Sequence, residues 1–199
     1  MPAVQLDGKI YLEPAEICRW LATAHEFASS GEALLPATPT DLQAMERLIC
    51  AGDNVVNAGL NLVAGCGRSW GIARGQSAAQ WRRFEEVCAE LEAALRQHGG
   101  PYLLGQQLTL ADLLVFPFLR RFHLALQSIG SAPLAGPLVT WIEAVASRPA
   151  AHLAAGDATK WLAALSRHES LDWFDYEHVG VADLHPALAA FIVADWAEK

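Results

Sequence analysis

One stretch, Gly99 to Phe122 (GGPYLLGQQLTLADLLVFPFLRRF), constrains the fold of this chain more than any other. Thr109 and Asp112 have the spacing of a capping box, with Thr109 as the N-cap residue and Asp112 in the first turn. The Thr109 hydroxyl can accept a hydrogen bond from the N–H of Asp112, and the Asp112 carboxylate can accept one from the N–H of Thr109. The sequence that follows is apolar on nearly every side until Arg120, where we expect the helix to reach water. This pattern predicts a central, buried helix.

The composition indicates a large core, or a surface that is buried against a partner. Hydrophobic residues make up 53% of the 199 residues and charged residues only 18%. The net charge of −8 argues against binding to nucleic acid. No apolar run reaches the roughly 18 residues of a membrane span, so no membrane insertion is expected. The N-terminus does not resemble a signal peptide, and the four cysteines have no CxxC spacing. These features favour the cytoplasm or an organelle matrix or stroma, and argue against secretion.

The remaining elements are predicted from turn and capping signals. Two short strands meet at Asp7-Gly8, and a helix opens at Pro14. After a linker, Thr40 or Asp41 is predicted to cap a long helix that ends at about Ala64. Besides the central helix that Thr109 caps, further helices are predicted at about 77–97, 138–147, 152–167 and 186–198.

Several polar motifs have ordinary structural interpretations. Asn54, Asn57 and Asn61 share one helical face, which we interpret as a solvated stripe in preference to a substrate cleft. The glycine-rich stretch 65–71 lacks the Gly-Lys-Ser/Thr of a phosphate-binding loop and is predicted to be a turn between helices. His123 is interpreted as a helix-surface residue.

No metal site is predicted. His178, Asp183 and His185 lie close together in the sequence, but their spacing fits no standard zinc or iron pattern.

The combination of PYLLG, a short polar turn, TLAD and an apolar helix with Pro117 resembles the C-terminal helical domain of the glutathione transferases. The opening PAVQLDGKIYLEPAEICRWL resembles the last hairpin and helix of that family's thioredoxin-like N-terminal domain. The resemblance covers about Pro2 to Leu165 and implies an all-α bundle of that C-terminal type with a short N-terminal β-hairpin and helix. It divides the chain into a hairpin and helix at 1–28, a linker at 29–39, the helical domain at 40–167 and an aromatic, acidic C-terminal extension with a final helix at 168–199.

The same resemblance implies roles for individual residues. Pro2 falls where the family carries a cis proline. Glu13 matches the acidic or amide residue that, followed by Ser, holds the γ-glutamyl carboxylate of glutathione. Pro14 replaces that Ser and offers neither a hydroxyl nor an N–H, so glutathione binding is weakened and no cofactor is expected. The family's first strand, first helix and second strand, which carry the catalytic Tyr, Ser or Cys, are not recognised, so no catalytic residue is predicted.

The outer strand of the predicted hairpin would present unpaired N–H and C=O groups. The helical domain could fold over this strand, the segment could be disordered, or a strand from another chain could complete the sheet. The first functional hypothesis is therefore a non-catalytic scaffold or assembly subunit that binds proteins through the hairpin edge and the C-terminal aromatic tail. A homodimer is compatible with it. The alternatives are a glutathione transferase whose N-terminal catalytic segment is absent from this chain, and a carrier of small molecules.

Overall fold

The computed structural model of this chain describes residues 4–6, 8–11, 13–23, 33–63, 78–128, 134–149 and 151. These residues form a two-stranded sheet and five helices, which confirms the predicted all-α class with an N-terminal hairpin. Pro2, the glycine-rich stretch 65–71 and the predicted elements after residue 151 lie outside the described residues. The elements are β1 (Val4–Leu6), β2 (Lys9–Tyr11), α1 (Pro14–Thr23), α2 (Pro39–Val63), α3 (Ala78–His98), α4 (Leu110–Ser128) and α5 (Pro137–Ala146).

The hairpin forms where the sequence predicts it. β1 and β2 pair in antiparallel fashion, with Leu6 opposite Lys9 and Gln5 opposite Ile10. Gly8 lies in the turn with a φ of 75°, a conformation that glycine adopts without strain. The Ile10 side chain is 60% exposed, which is unusual for a large apolar residue.

Helix α2 begins two or three positions earlier than predicted. Its N-cap is Thr38, whose carbonyl accepts from the Leu42 N–H at 2.9 Å and whose hydroxyl accepts from the Asp41 N–H at 3.1 Å. The prediction of Thr40 or Asp41 as the cap was therefore wrong. The missed signal was Thr38-Pro39, because proline is favoured at the first helical position, directly after the cap.

Helices α2 and α4 approach each other closely because two glycines of α2 face α4. A Cβ added at Gly52 would lie 2.2 Å from a methyl group of Val115, and one added at Gly59 would lie 2.2 Å from the ring of Phe122. The sequence analysis did not identify this contact. The spacing of Gly52 and Gly59, seven positions apart, does not predict close helix packing until the facing helix is known.

Helix α4 forms the centre of the domain, as its apolar sequence predicts. Phe122 meets Phe84 of α3 edge-to-face with ring centroids 6.1 Å apart, and Phe116 meets Trp141 of α5 in the same manner at 6.3 Å. The helix continues through Pro117 to Ser128, and Arg120 is only half-exposed. The expectation that Arg120 marks the start of the solvated part was therefore wrong. Among the described helices, none is both long and apolar enough to cross a membrane.

Candidate functional site

The most organised polar cluster in the described part of the chain surrounds the Asp112 carboxylate, which is fully buried. One oxygen, Oδ2, accepts from the N–H of Thr109 and from the Thr109 hydroxyl, both at 2.9 Å. The other, Oδ1, accepts from the Leu103 N–H at 2.9 Å and from the indole N–H of Trp141 at 2.8 Å. The carboxylate thus connects the start of α4, the preceding loop and α5.

The geometry differs from the predicted capping box in one respect. The Thr109 hydroxyl, expected to accept from the N–H of Asp112, donates to the Asp112 carboxylate. The first N–H of α4, that of Leu110, is bonded to the carbonyl of Leu34 at 3.1 Å, so the linker also takes part in the cap. Because the carboxylate is inaccessible and already accepts four hydrogen bonds, this cluster is suited to holding the fold together and not to acid–base chemistry.

Glu13, the residue expected at the glutathione position, is exposed at the start of α1. Its carbonyl accepts from the Ile17 N–H at 3.0 Å, so Glu13 is the residue before the first turn of the helix. Pro14 follows at the first helical position and is also exposed. A helix N-terminus normally offers N–H groups to an anion, and Pro14 removes one of them.

Helix α1 is joined to the helical domain by an ion pair. The Arg19 guanidinium donates two hydrogen bonds to the Glu46 carboxylate of α2, at 3.0 and 2.6 Å, and this interaction raises the pKa of Arg19. Next to it, Cys18 packs against the core, and burial raises the pKa of its thiol. Helix α1 is therefore held on the helical domain by charge and by apolar contact.

The buried cysteine is not suited to nucleophilic chemistry. Burial raises the pKa of Cys88 to about 12, with a smaller contribution from the carboxylates of Glu92 and Glu85. A thiol with that pKa stays protonated at neutral pH. Cys50 is exposed on α2.

The polar residues that were interpreted as surface residues divide into two groups. Asn54 and Asn57 are exposed on α2, as a solvated stripe requires, and the side chain of Asn61 lies outside the described residues. His123 is half-buried, and its Nδ1 atom is inaccessible and has no hydrogen-bond partner among the described residues, so the helix-surface interpretation was wrong for this residue. Burial lowers the pKa of His123, and nearby Glu143 opposes that effect only in part.

Replacement of His123 should change how stability depends on pH. The folded chain binds a proton on His123 more weakly than the unfolded chain does. The free energy of unfolding is therefore highest above the ordinary histidine pKa of about 6.5, and it decreases as the pH falls through that value. We expect His123→Leu to show a smaller loss of stability than the wild type between pH 7 and pH 5, measured by urea unfolding at each pH. The exposed His98 provides the control, and an equal change in slope for His98→Leu would contradict the prediction.

The comparisons with known proteins agree with this architecture. Residues 74–155 match the family model described as glutathione S-transferase, C-terminal domain. This match agrees with the resemblance to the glutathione S-transferases that the TLAD stretch and its context predict. No curated protein matches the sequence.

Two solved structures share the fold. The first is a trimeric glutathione transferase, TDR1 of Leishmania, with a TM-score of 0.67 and 18% identity over 81% of this chain and 36% of that chain. The second is the tau class glutathione S-transferase MiGSTU from mango, Mangifera indica, with a TM-score of 0.64 and 20% identity over 82% of this chain and 73% of that chain. The chain thus spans about a third of the length of the first structure and about three quarters of the second. The TM-scores show that the fold is shared, and at identities this low the similarity says nothing about activity.

Proposed function

We propose that this chain is a non-catalytic, glutathione-transferase-like assembly subunit that binds a partner protein by accepting one of its β-strands along β1. The observation that carries the proposal is the two-stranded sheet. A hairpin of this size is marginally stable alone, and three or more strands are normally needed. Here the hairpin precedes α1, which the Arg19–Glu46 ion pair joins to the helical domain, and one edge of β1 faces away from β2 in the described sheet.

The register identifies the backbone groups that would bind the incoming strand. In a hairpin with a two-residue turn, the pair that closes the turn, Leu6 and Lys9, exchanges its hydrogen bonds. The next pair, Gln5 and Ile10, therefore directs its N–H and C=O groups away from the partner strand. Gln5 presents these groups on the β1 edge and Ile10 presents them on the β2 edge. The exposed Ile10 side chain supplies an apolar contact on the same face of the sheet as Gln5.

A transferase enzyme is the second candidate, favoured by the fold shared with two glutathione transferases. In that case the strand that completes the sheet would belong to the same polypeptide and would bring the residue that activates the thiol. One feature of this chain favours the scaffold over the enzyme, because Pro14 provides no donor next to Glu13.

Native mass spectrometry of the particle isolated from its source would separate the two candidates. We expect a heteromeric particle that releases this chain together with a different polypeptide. A homodimer of a heavier chain that conjugates glutathione to an electrophile would contradict the scaffold proposal and support the enzyme.

The binding edge can be tested with a pair of proline variants. Gln5→Pro removes the outward N–H of β1, whereas Ile10→Pro removes the outward N–H of β2 and serves as the matched control. We expect Gln5→Pro to lose at least about tenfold in partner affinity, which corresponds to 1.4 kcal/mol, and Ile10→Pro to lose much less. Thermal melts followed by circular dichroism would show that the helical domain of both variants is intact. Full partner binding by a folded Gln5→Pro variant would contradict the proposal.

A further inference from the structure

A second surface, separate from the hairpin, contains an open cleft. It lies between the C-terminal end of α3 and the N-terminal end of α5, with a volume of about 360 Å³. We call it the α3–α5 cleft. It is bounded by Leu95, Arg96, Gly99, Gly100, Pro101, Pro137, Thr140 and Trp141. Its walls are largely apolar, as is usual where proteins bind aromatic side chains.

The polar groups of this cleft favour an anion. Gly136 is the N-cap of helix α5 and offers no side-chain cap. Pro137 at the first helical position supplies no N–H, but the positive end of the helix dipole still opens towards the cleft. Arg96 adds a guanidinium that is more than half exposed; it also pairs with Glu92 of the same helix. Thr140 contributes an exposed hydroxyl on the first turn of α5. An occupant that is both aromatic and acidic would therefore match the cleft.

The chain itself contains such a segment. Residues 172–177, DWFDYE, alternate three aromatic side chains with three carboxylates, in a part of the sequence outside the described residues. We propose that the α3–α5 cleft binds this acidic aromatic segment of the same chain, with its aromatic rings against Pro101 and Pro137 and its carboxylates towards Arg96 and the start of α5. This contact is independent of the strand addition proposed for β1.

The chain length permits this contact. The described residues end close to the cleft, because the guanidinium of Arg148 lies 3.3 Å from the hydroxyl of Tyr102, the neighbour of Pro101. About 20 residues separate Ala151 from Asp172. Even as a continuous helix they would span about 30 Å, which is twice the length of α5.

Photocrosslinking of the full chain tests the proposal. With benzoylphenylalanine in place of Phe174, we expect crosslinks within one chain to peptides that contain residues 95–101 or 137–141, mapped by mass spectrometry. The same probe in place of Phe191 serves as the positional control and should not label these peptides. Crosslinks between two chains, labelling elsewhere, or no crosslink from position 174 would each overturn the proposal.

A matched pair of cleft variants adds a test of the charge argument. Thr140→Glu places a carboxylate beside the proposed acidic ligand, whereas Thr140→Gln has the same size and no charge. We expect about a tenfold lower crosslink yield for Thr140→Glu than for Thr140→Gln, because like charges in contact oppose binding. Both variants lose the same hydroxyl bond to the Gly136 carbonyl, so that loss cancels in the comparison. Equal yields from two folded variants would overturn the electrostatic part of the proposal.

Discussion

Asp112→Ala is expected to lower the free energy of unfolding by about 4 kcal/mol, one of the two largest effects we predict for a single substitution in this chain. The substitution removes the only acceptor of four short hydrogen bonds and leaves the N–H groups of Leu103, Thr109 and Trp141 buried without that acceptor. Buried donors without partners cost more than an ordinary lost hydrogen bond, because water cannot replace the acceptor. The measurement is chemical denaturation with urea at neutral pH.

The chain offers a matched control for this prediction. Asp41 occupies the equivalent position in α2, where its carboxylate accepts from the Thr38 hydroxyl at 2.7 Å, but it is exposed. We expect Asp41→Ala to cost about 1 kcal/mol, the usual value for a helix cap. Trp141→Phe should lower the free energy of unfolding by less in the Asp112→Ala variant than in the wild type. In that variant the hydrogen bond from the indole N–H to Asp112 is already lost. Equal effects of the two aspartate variants would contradict the importance we assign to burial.

Gly100→Ala is expected to cost about 3 kcal/mol or more, for a reason unrelated to charge. A Cβ at this position would lie 2.2 Å from both the carbonyl carbon and the oxygen of Gly105. These are backbone atoms, so the loop can relieve the overlap only by moving. Tyr102 and Gly105 exchange two hydrogen bonds of 3.0 Å in this loop, and Leu103 between them donates to Asp112. Displacement of Gly105 would therefore weaken the Asp112 cluster as well.

Gly99 provides the comparison for this second prediction. It follows α3 with a φ of 63°, and nothing lies within 4 Å of the place where a Cβ would be added. Gly99→Ala should cost only about 1 kcal/mol, from the left-handed backbone conformation alone. Both variants are compared by thermal unfolding with calorimetry. A larger loss of stability for Gly99→Ala than for Gly100→Ala would contradict the prediction.

The features that the sequence alone determined are local. The hairpin turn before Lys9, the start of α1 at Pro14 and the buried course of α4 each follow from a few neighbouring residues. Turn formation, helix initiation and apolar periodicity each depend on residues that are close together in the sequence. They can therefore be predicted without a tertiary structure. The combination of PYLLG, TLAD and an apolar helix with Pro117 indicated the resemblance for the same reason, since these residues lie close together in the sequence.

The tertiary structure decided which distant residues meet. Trp141 lies 29 positions after Asp112, and no local pattern marks it as a donor to that carboxylate. The half-burial of His123 and Arg120 and the close approach of Gly59 to Phe122 depend in the same way on how α4 is packed against its neighbours. The α3–α5 cleft forms because a loop and two helix ends converge. Such contacts depend on packing across the core, where many sequences satisfy the same apolar pattern and only the assembled helices fix which side chains touch.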